Sequence, residues 1–311
     1  MIEGQEGVGW PEWVAIAQAC EEHGIPALFR SDHYMNLSGQ HPEREALDAW
    51  GTICALAAIT STVRLGTLVS PATFRHPSNL AKLVATAEKI SNGRIELGLG
   101  AGWHEREHEA YGFPFASTRE RVDLLAEQLE VVLGNWGQEP FTLDGRHYRL
   151  RELDARPKPV QTPHPNLIIG GNAGPRSAAL AARYADEYNT AFPSVEDARA
   201  RRQRVIEACS EIGHEPLPFS IMTAVISGRD APELRDRARR QLERVGSDQD
   251  VDALLEQPPH GWIVGTADDV VAQLHVLREA GVDRVMCQQL LHDDLDAIAL
   301  IGEISPRVAG P

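Results

Sequence analysis

Residues 94–112 read R-I-E-L-G-L-G-A-G-W-H-E-R-E-H-E-A-Y-G, and how this stretch folds decides how the rest of the chain is read. Residues 94–99 form an apolar run short enough for a buried strand, and Asn92-Gly93 ahead of it stops a helix. Two motifs overlap behind the strand. His104-Glu105-Arg106-Glu107-His108 is a literal H-E-x-x-H, which on an amphipathic helix sets two histidines one turn apart to hold zinc, with Glu105 as general base. That chemistry also needs a third ligand. The segment is short, follows a glycine turn directly and breaks at Gly112-Phe113-Pro114, and its acids suit a solvated first helical turn. Gly98, Gly100 and Gly102 suggest a nucleotide-binding turn, but Trp103 stands where a dinucleotide fingerprint needs its third glycine. The glycines better fit a sharp turn at a barrel mouth, with room for a ligand above the backbone.

Outward from this stretch, strand and helix alternate. Residues 13–23 have apolar positions at helical spacing and stop at Gly24, and 25–29 is a strand running into Arg30-Ser31-Asp32-His33. Helix is expected at 47–59, strand at 63–69 and helix at 80–90; beyond the opening stretch a helix covers 119–133. Asp144-Gly145 between two alternating runs predicts a hairpin excursion at 141–150. Strands near 167–169, 187–191, 219–225 and 283–287 alternate with helices at 176–184, 195–212, 266–280 and 295–304, the third opened by a Thr266-x-x-Asp269 cap. No element is assigned between Val225 and Val264.

Such alternation implies parallel strands joined by crossover helices. Seven strands are clear, and Met1-Ile2-Glu3 would be the end of an eighth, the first. A (β/α)8 barrel as one domain over 1–311 is the best fit, with an open doubly wound sheet as runner-up. No repeat, low-complexity tract or linker divides the chain.

Composition narrows the function. At 311 residues, 42% hydrophobic and 24% charged, the chain is an ordinary globular protein. A net charge of −15 argues against nucleic acid and anionic membranes as partners, while an anionic cofactor remains compatible, held by backbone amides at a helix N-terminus. Cys20, Cys54, Cys209 and Cys287 form no C-x-x-C pair and read as buried thiols. No apolar run is long enough to span a bilayer, and the N-terminus lacks signal-peptide regions, so a cytoplasmic location is expected.

Several blocks carry a resemblance when taken in order: Phe29-Arg-Ser-Asp32-His33, Arg64-Leu-Gly-Thr-Leu-Val69 with Phe74-Arg75-His76-Pro77, Gly93 to Trp103, Arg156-Pro-Lys-Pro-Val160-Gln, Ile169-Gly-Gly171 and Gly265-Thr266. They resemble the bacterial luciferase-like monooxygenase superfamily, more closely its branch of coenzyme F420-dependent oxidoreductases. The resemblance implies a (β/α)8 barrel with a flavin or deazaflavin ring at the strand C-termini. It implies that Asp32 and His33 are the acid–histidine pair after the second strand, with His33 as general acid/base or stabiliser near the ring. Imidazole suits that work because it titrates near operating pH. It further implies a non-proline cis peptide at Leu68-Val69, ring contacts from Gly102 and Trp103, and a phosphate loop at Gly170-Gly171-Asn172. Arg176 would add a charge-assisted contact to the phosphate, and Glu105 or Glu107 could help line the pocket.

One departure is the short first strand, which would expose its neighbours' edges and favour a homodimer. Three functions follow: an F420- or FMN-dependent oxidoreductase (including FMN-dependent monooxygenation) acting on a small molecule, a zinc hydrolase using His104, His108 and Glu105, and a flavin-binding protein without catalysis. Substrate specificity is expected in loops 34–44, 116–119 and 141–150.

Overall fold

The computed structural model describes residues 1–309. The chain opens with the stub Met1-Ile2-Glu3 and a 3-10 turn, Gly4–Glu6, followed by α1 (Trp10–Glu22), β1 (Ala27–Arg30), α2 (Ala49–Ile59) and β2 (Arg64–Pro71). Then come α3 (Pro77–Ser91), β3 (Ile95–Gly100), the short α4 (Glu105–Tyr111) and α5 (Thr118–Trp136). The expected hairpin, β4 (Phe141–Asp144) and β5 (Arg149–Leu153), leads into β6 (Asn166–Gly170), α6 (Pro175–Tyr184), β7 (Glu187–Ala191) and α7 (Val195–Glu211). The rest is β8 (Phe219–Gly228), α8 (Ala231–Val245), α9 (Val251–Glu256), β9 (Ile263–Thr266), α10 (Ala267–Glu279), β10 (Arg284–Gln288) and α11 (Leu295–Ala309).

Strands β1, β2, β3, β6, β7, β8 and β10 pair in that order, each pair parallel. Spatial order follows chain order with no reversal, so the switch point of a doubly wound sheet is absent from this path. Ile2 makes parallel bridges to Arg30 and to Gln289, and therefore joins the first and last strands at their C-terminal ends. Its N–H donates to Phe29 O at 2.9 Å, while Gln289 N–H donates to Met1 O at 3.0 Å. The stub thus occupies the place of the first barrel strand. Below it, between β1 and β10, a cavity of about 740 Å³ reaches Ile16 and Cys20 of α1 and Ile298 and Ile304 of α11.

Alternation along each strand sorts residues between lumen and helix layer. Met1, Phe29, Leu68, Ile168 and Met286 form a separate lumenal cluster. Leu28, Leu65, Leu97, Leu167 and Ile221 belong to the larger core between sheet and helices. Covered on both faces, the strands read as near-continuous apolar runs, as parallel strands do. At the N-terminal end the lumen is filled by charge instead. Arg284 Nη2 lies 2.7 Å from Glu96 Oε2 and 2.6 Å from Glu187 Oε2. Arg64 Nε donates to Glu96 at 2.6 Å and Asn166 Nδ2 at 2.8 Å.

The unassigned stretch holds three elements. In α8 the apolar stripe is thin, Leu234, Ala238 and Leu242, and the helix is also anchored by buried Arg237 donating to Asp294 at 3.1 Å. β9 pairs with the end of β8 from Val225↔Ile263 to Gly228↔Thr266, so a strand stands where a helix start was expected. The helix begins directly after it, with Thr266 and Asp269 forming the expected capping box.

Candidate active site

A cavity of about 860 Å³ opens at the C-terminal ends of the strands, within the size range of small-molecule and cofactor sites. Val69 forms part of its floor. The Leu68–Val69 peptide is cis, and the register of β2 on β3 shifts between Thr67 and Ser70. A Cβ placed on Gly98, Gly100 or Gly170 would lie 2.8–2.9 Å from a Val69 methyl, closer than real carbon contacts allow. Two neighbouring strands, β3 and β6, therefore bring three glycines to this valine because nothing larger fits. Gly102 has φ 80°, a left-handed conformation that glycine adopts without strain, and its turn carries Trp103 to the cavity rim. Trp103 is 64% exposed, so one face is available to a ligand.

His33 follows β1 and lines the same cavity. Its Nδ1 lies 2.7 Å from Glu107 Oε2, and the other oxygen of Glu107 accepts the Tyr34 N–H. Glu107 is fully buried. With Nδ1 so engaged, Nε2 is the nitrogen left for a ligand. Trp103 and His104 stand edge-on to the imidazole, with centroids 5.9 and 6.2 Å away. Burial disfavours the imidazolium, but the hydrogen bond and charge of Glu107 outweigh it and raise His33 above its ordinary value of 6.5.

Asp32 does not join this group. It is buried beneath the wall, where Oδ2 accepts from Ser70 Oγ and Arg75 Nη1, both at 2.6 Å, and it is not among the residues lining the cavity. The acid that meets the His33 imidazole is therefore Glu107 rather than Asp32, which fixes Arg75 and β2. The resemblance implied Asp32, but consecutive residues leaving a strand point to opposite sides.

Opposite His33, Gly170, Gly171 and Asn172 line the cavity ahead of α6. Tyr188 Oη accepts the Ala173 N–H at 2.7 Å, and Arg204 Nε donates to Ala173 O at 2.8 Å, so the loop is propped from below. The first amide to turn back on the helix is that of Ala178, bonding Gly174 O, which leaves those of Arg176 and Ser177 without a helical partner. An anion could sit there. The Arg176 side chain does not reach it: its guanidinium binds Asp123 Oδ1 and Arg119 O on α5 and is absent from the cavity wall.

The H-E-x-x-H segment is divided among other tasks. His108 is buried with Nδ1 2.7 Å from His104 O and Nε2 2.7 Å from Thr73 Oγ1. Both ring nitrogens are engaged, Glu105 is exposed, and Glu107 serves His33. Among the described residues no group of three His, Cys, Asp or Glu is placed to hold a metal ion. Nor is any described helix long and apolar enough to cross a membrane.

The chain belongs to the luciferase-like monooxygenase family, whose sequence model matches residues 2–284. It is 32% identical over 187 residues to the F420-dependent hydroxymycolic acid dehydrogenase of Mycobacterium tuberculosis, covering 60% of this chain and 50% of that protein. It is 30% identical over 241 residues to the FMNH(2)-dependent dimethylsulfone monooxygenase of Pseudomonas putida, covering 77% of this chain and 63% of that protein. The matched regions thus span about half to two thirds of these relatives' own lengths. Among solved structures, an F420-dependent secondary alcohol dehydrogenase in complex with an F420-acetone adduct superposes with a TM-score of 0.80 at 20% identity, over 95% of this chain and 94% of that one. That likeness establishes the shared barrel.

Proposed function

We propose that this protein is a coenzyme F420-dependent oxidoreductase acting on a small organic molecule with a hydroxyl or carbonyl group at the reacting carbon. The observation that carries this reading is the His33–Glu107 pair on the wall of a cavity floored by Val69 and its glycines. The residues present fit the cofactor: Val69, Gly102 and Trp103 would contact its ring, and Gly170, Gly171, Asn172 and the first amides of α6 its phosphate. When bound, the deazaflavin supplies two-electron hydride transfer.

Every hydride moved to a carbonyl carbon requires a proton at the carbonyl oxygen, and the reverse reaction requires its removal. His33 Nε2 carries that proton. Glu107 holds the tautomer in which Nδ1 is the donor to carboxylate, and it keeps the protonated form populated near neutral pH. Trp103 and the 34–44 loop, through Leu37, Ser38 and Arg44, line the cavity around this proton carrier.

The FMN-dependent monooxygenase reading has its own support in the 30% identity to the dimethylsulfone enzyme. Titration of the purified protein with F420 and with FMN, followed by fluorescence, separates them. F420 is expected to bind at micromolar concentration; FMN binding with no F420 affinity at that level refutes the cofactor choice. A homodimer, a single catalytic domain and a reducing cytoplasmic setting, in which the four free cysteines stay reduced, complete the proposal. Light scattering on the eluted protein checks the dimer.

A further inference from the structure

The cavity has a second polar end that the cofactor reading leaves unused. Counted around the barrel from the stub, Gly170 ends the fifth strand, directly across the lumen from the first. On the first-strand side, Arg44 from the 34–44 loop and Arg244 from the last turn of α8 both line the cavity. They are locked together: Arg44 Nη2 donates to Arg244 O at 2.9 Å, Arg44 Nη1 pairs with Glu6 Oε2 at 2.5 Å, and Arg244 Nη2 donates to Glu6 O.

Their charges are unequally matched. Glu6 faces Arg44, and Asn36 Nδ2 also donates to it at 2.6 Å. Among the described residues no carboxylate lies within ion-pair distance of Arg244, whose Nε is buried without a partner. Its remaining side-chain contact is His292 Nδ1 at 3.3 Å, an imidazole that burial and the Arg244 charge push down to about 3, so it stays neutral and offers no compensating charge. Burial and the neighbouring Arg44 also lower Arg244, against the smaller opposing charges of Glu6 and Asp293. Glu3, the other carboxylate on this wall, is engaged by Gln5 Nε2 at 2.8 Å and Gln288 Nε2 at 2.7 Å. Two guanidinium groups are fixed side by side at the cavity wall, one paired with a carboxylate and the other with none in ion-pair reach, which leaves Arg244 with hydrogen-bonding capacity for an anion.

We propose that the Arg44–Arg244 pair binds an anionic group of the substrate, so that this protein acts on a small molecule bearing a carboxylate or phosphate. This rests on the oxidoreductase reading above, since it assigns the glycine-loop end of the cavity to the cofactor. Guanidinium pairs bind either group in fork geometry. The same chemistry could also come from an acidic tail of the cofactor.

The test is calorimetric titration of the full-length protein with inorganic phosphate and with citrate, first alone and then saturated with whichever of F420 and FMN it binds. The cofactor-saturated protein is expected to bind at least one probe. Arg244→Met should weaken that binding roughly tenfold or more, and Arg244→Lys should keep part of it, with cofactor affinity unchanged. Wild-type melting temperatures for both variants show that the loss is local. Absence of probe binding to the cofactor-saturated wild type, or unchanged binding in Arg244→Met, overturns the proposal. Loss of cofactor affinity in Arg244→Met, with the probes excluded by bound cofactor, assigns the arginines to the cofactor and overturns the substrate site. If neither cofactor binds the wild type, the cofactor reading fails on its own; a difference between wild type and Arg244→Met without cofactor still supports the anion site, and its absence overturns it.

Discussion

The two ends of the barrel lumen hold the same kinds of charged groups in different states of pairing. At the N-terminal end Arg284 bridges Glu96 and Glu187, and Arg64 and Asn166 complete the shell of Glu96. At the C-terminal end His33 has one nitrogen fixed by Glu107 and lines the cavity, and among the described residues Arg244 has no carboxylate within ion-pair distance. Saturation rigidifies the foot of the barrel. Incomplete pairing at the mouth leaves hydrogen-bonding capacity for a ligand, as expected where βα loops build the site in such barrels. An arginine buried without a carboxylate is costly to fold around, so its place at the mouth favours that end as the working one.

Substitutions can break this contrast. The largest effect is expected from His33→Ala, which should lower kcat/KM by about 10²–10⁴-fold while cofactor affinity stays close to wild type. Steady-state kinetics on the F420-loaded protein checks it, and retention of activity within a few-fold removes His33 as the proton carrier. At the foot, Arg284→Met leaves Glu96 and Glu187 facing each other, and should cost about 3 kcal/mol of stability in urea unfolding. Kinetic constants at 25 °C should hardly change. A variant that unfolds normally but loses turnover would reverse the assignment of the two ends.

Glu107→Gln should act through His33. Burial then works without its counterweight, so the limb of the pH–rate profile belonging to His33 moves to lower pH, with a loss of about tenfold at neutrality. The sign for stability follows from the raised folded-state pKa. The pair stabilises fully below 6.5, and that contribution fades as pH rises through the folded value, so the melting temperatures of wild type and variant should converge at alkaline pH. Glu96 behaves in the opposite sense. Burial alone would raise it, but bonds from Arg284, Arg64 and Asn166 hold it below its ordinary 4.5, so its stabilisation is present above 4.5 and lost as pH falls through the folded value. The smallest effect is expected for His104→Ala, within about twofold in activity, since a half-exposed ring near the site holds no metal in this reading. Stoichiometric zinc, lost together with activity in that variant, would restore the hydrolase reading.

Much of this architecture was legible from local pattern. Apolar runs between helical segments marked the parallel strands, Asp144-Gly145 marked the hairpin, and Thr266-x-x-Asp269 marked a cap; each depends on residues close in sequence. The thin stripe of α8 and the short β9 were missed because Arg237–Asp294 and pairing with β8 hold them, contacts that span long stretches of chain. The site followed the same division. His33, Trp103, Gly170 and Gly171 came from motif and order, and they do line the cavity. Asp32 came from the resemblance and Arg176 from its charge beside the glycine loop, yet β2 and α5 supply their partners.

The sequence by itself determined that strands and helices alternate, that glycines gather behind the third full strand, and that a histidine follows the first. Periodicity and backbone freedom act over a few residues, so no tertiary information was required. Only the tertiary structure decided which acid meets that histidine, which arginine faces solvent and which faces the cavity, and what became of His104 to His108. Those outcomes depend on side chains 74 positions apart for His33 and Glu107, and 200 apart for Arg44 and Arg244, brought together by the closing of the barrel.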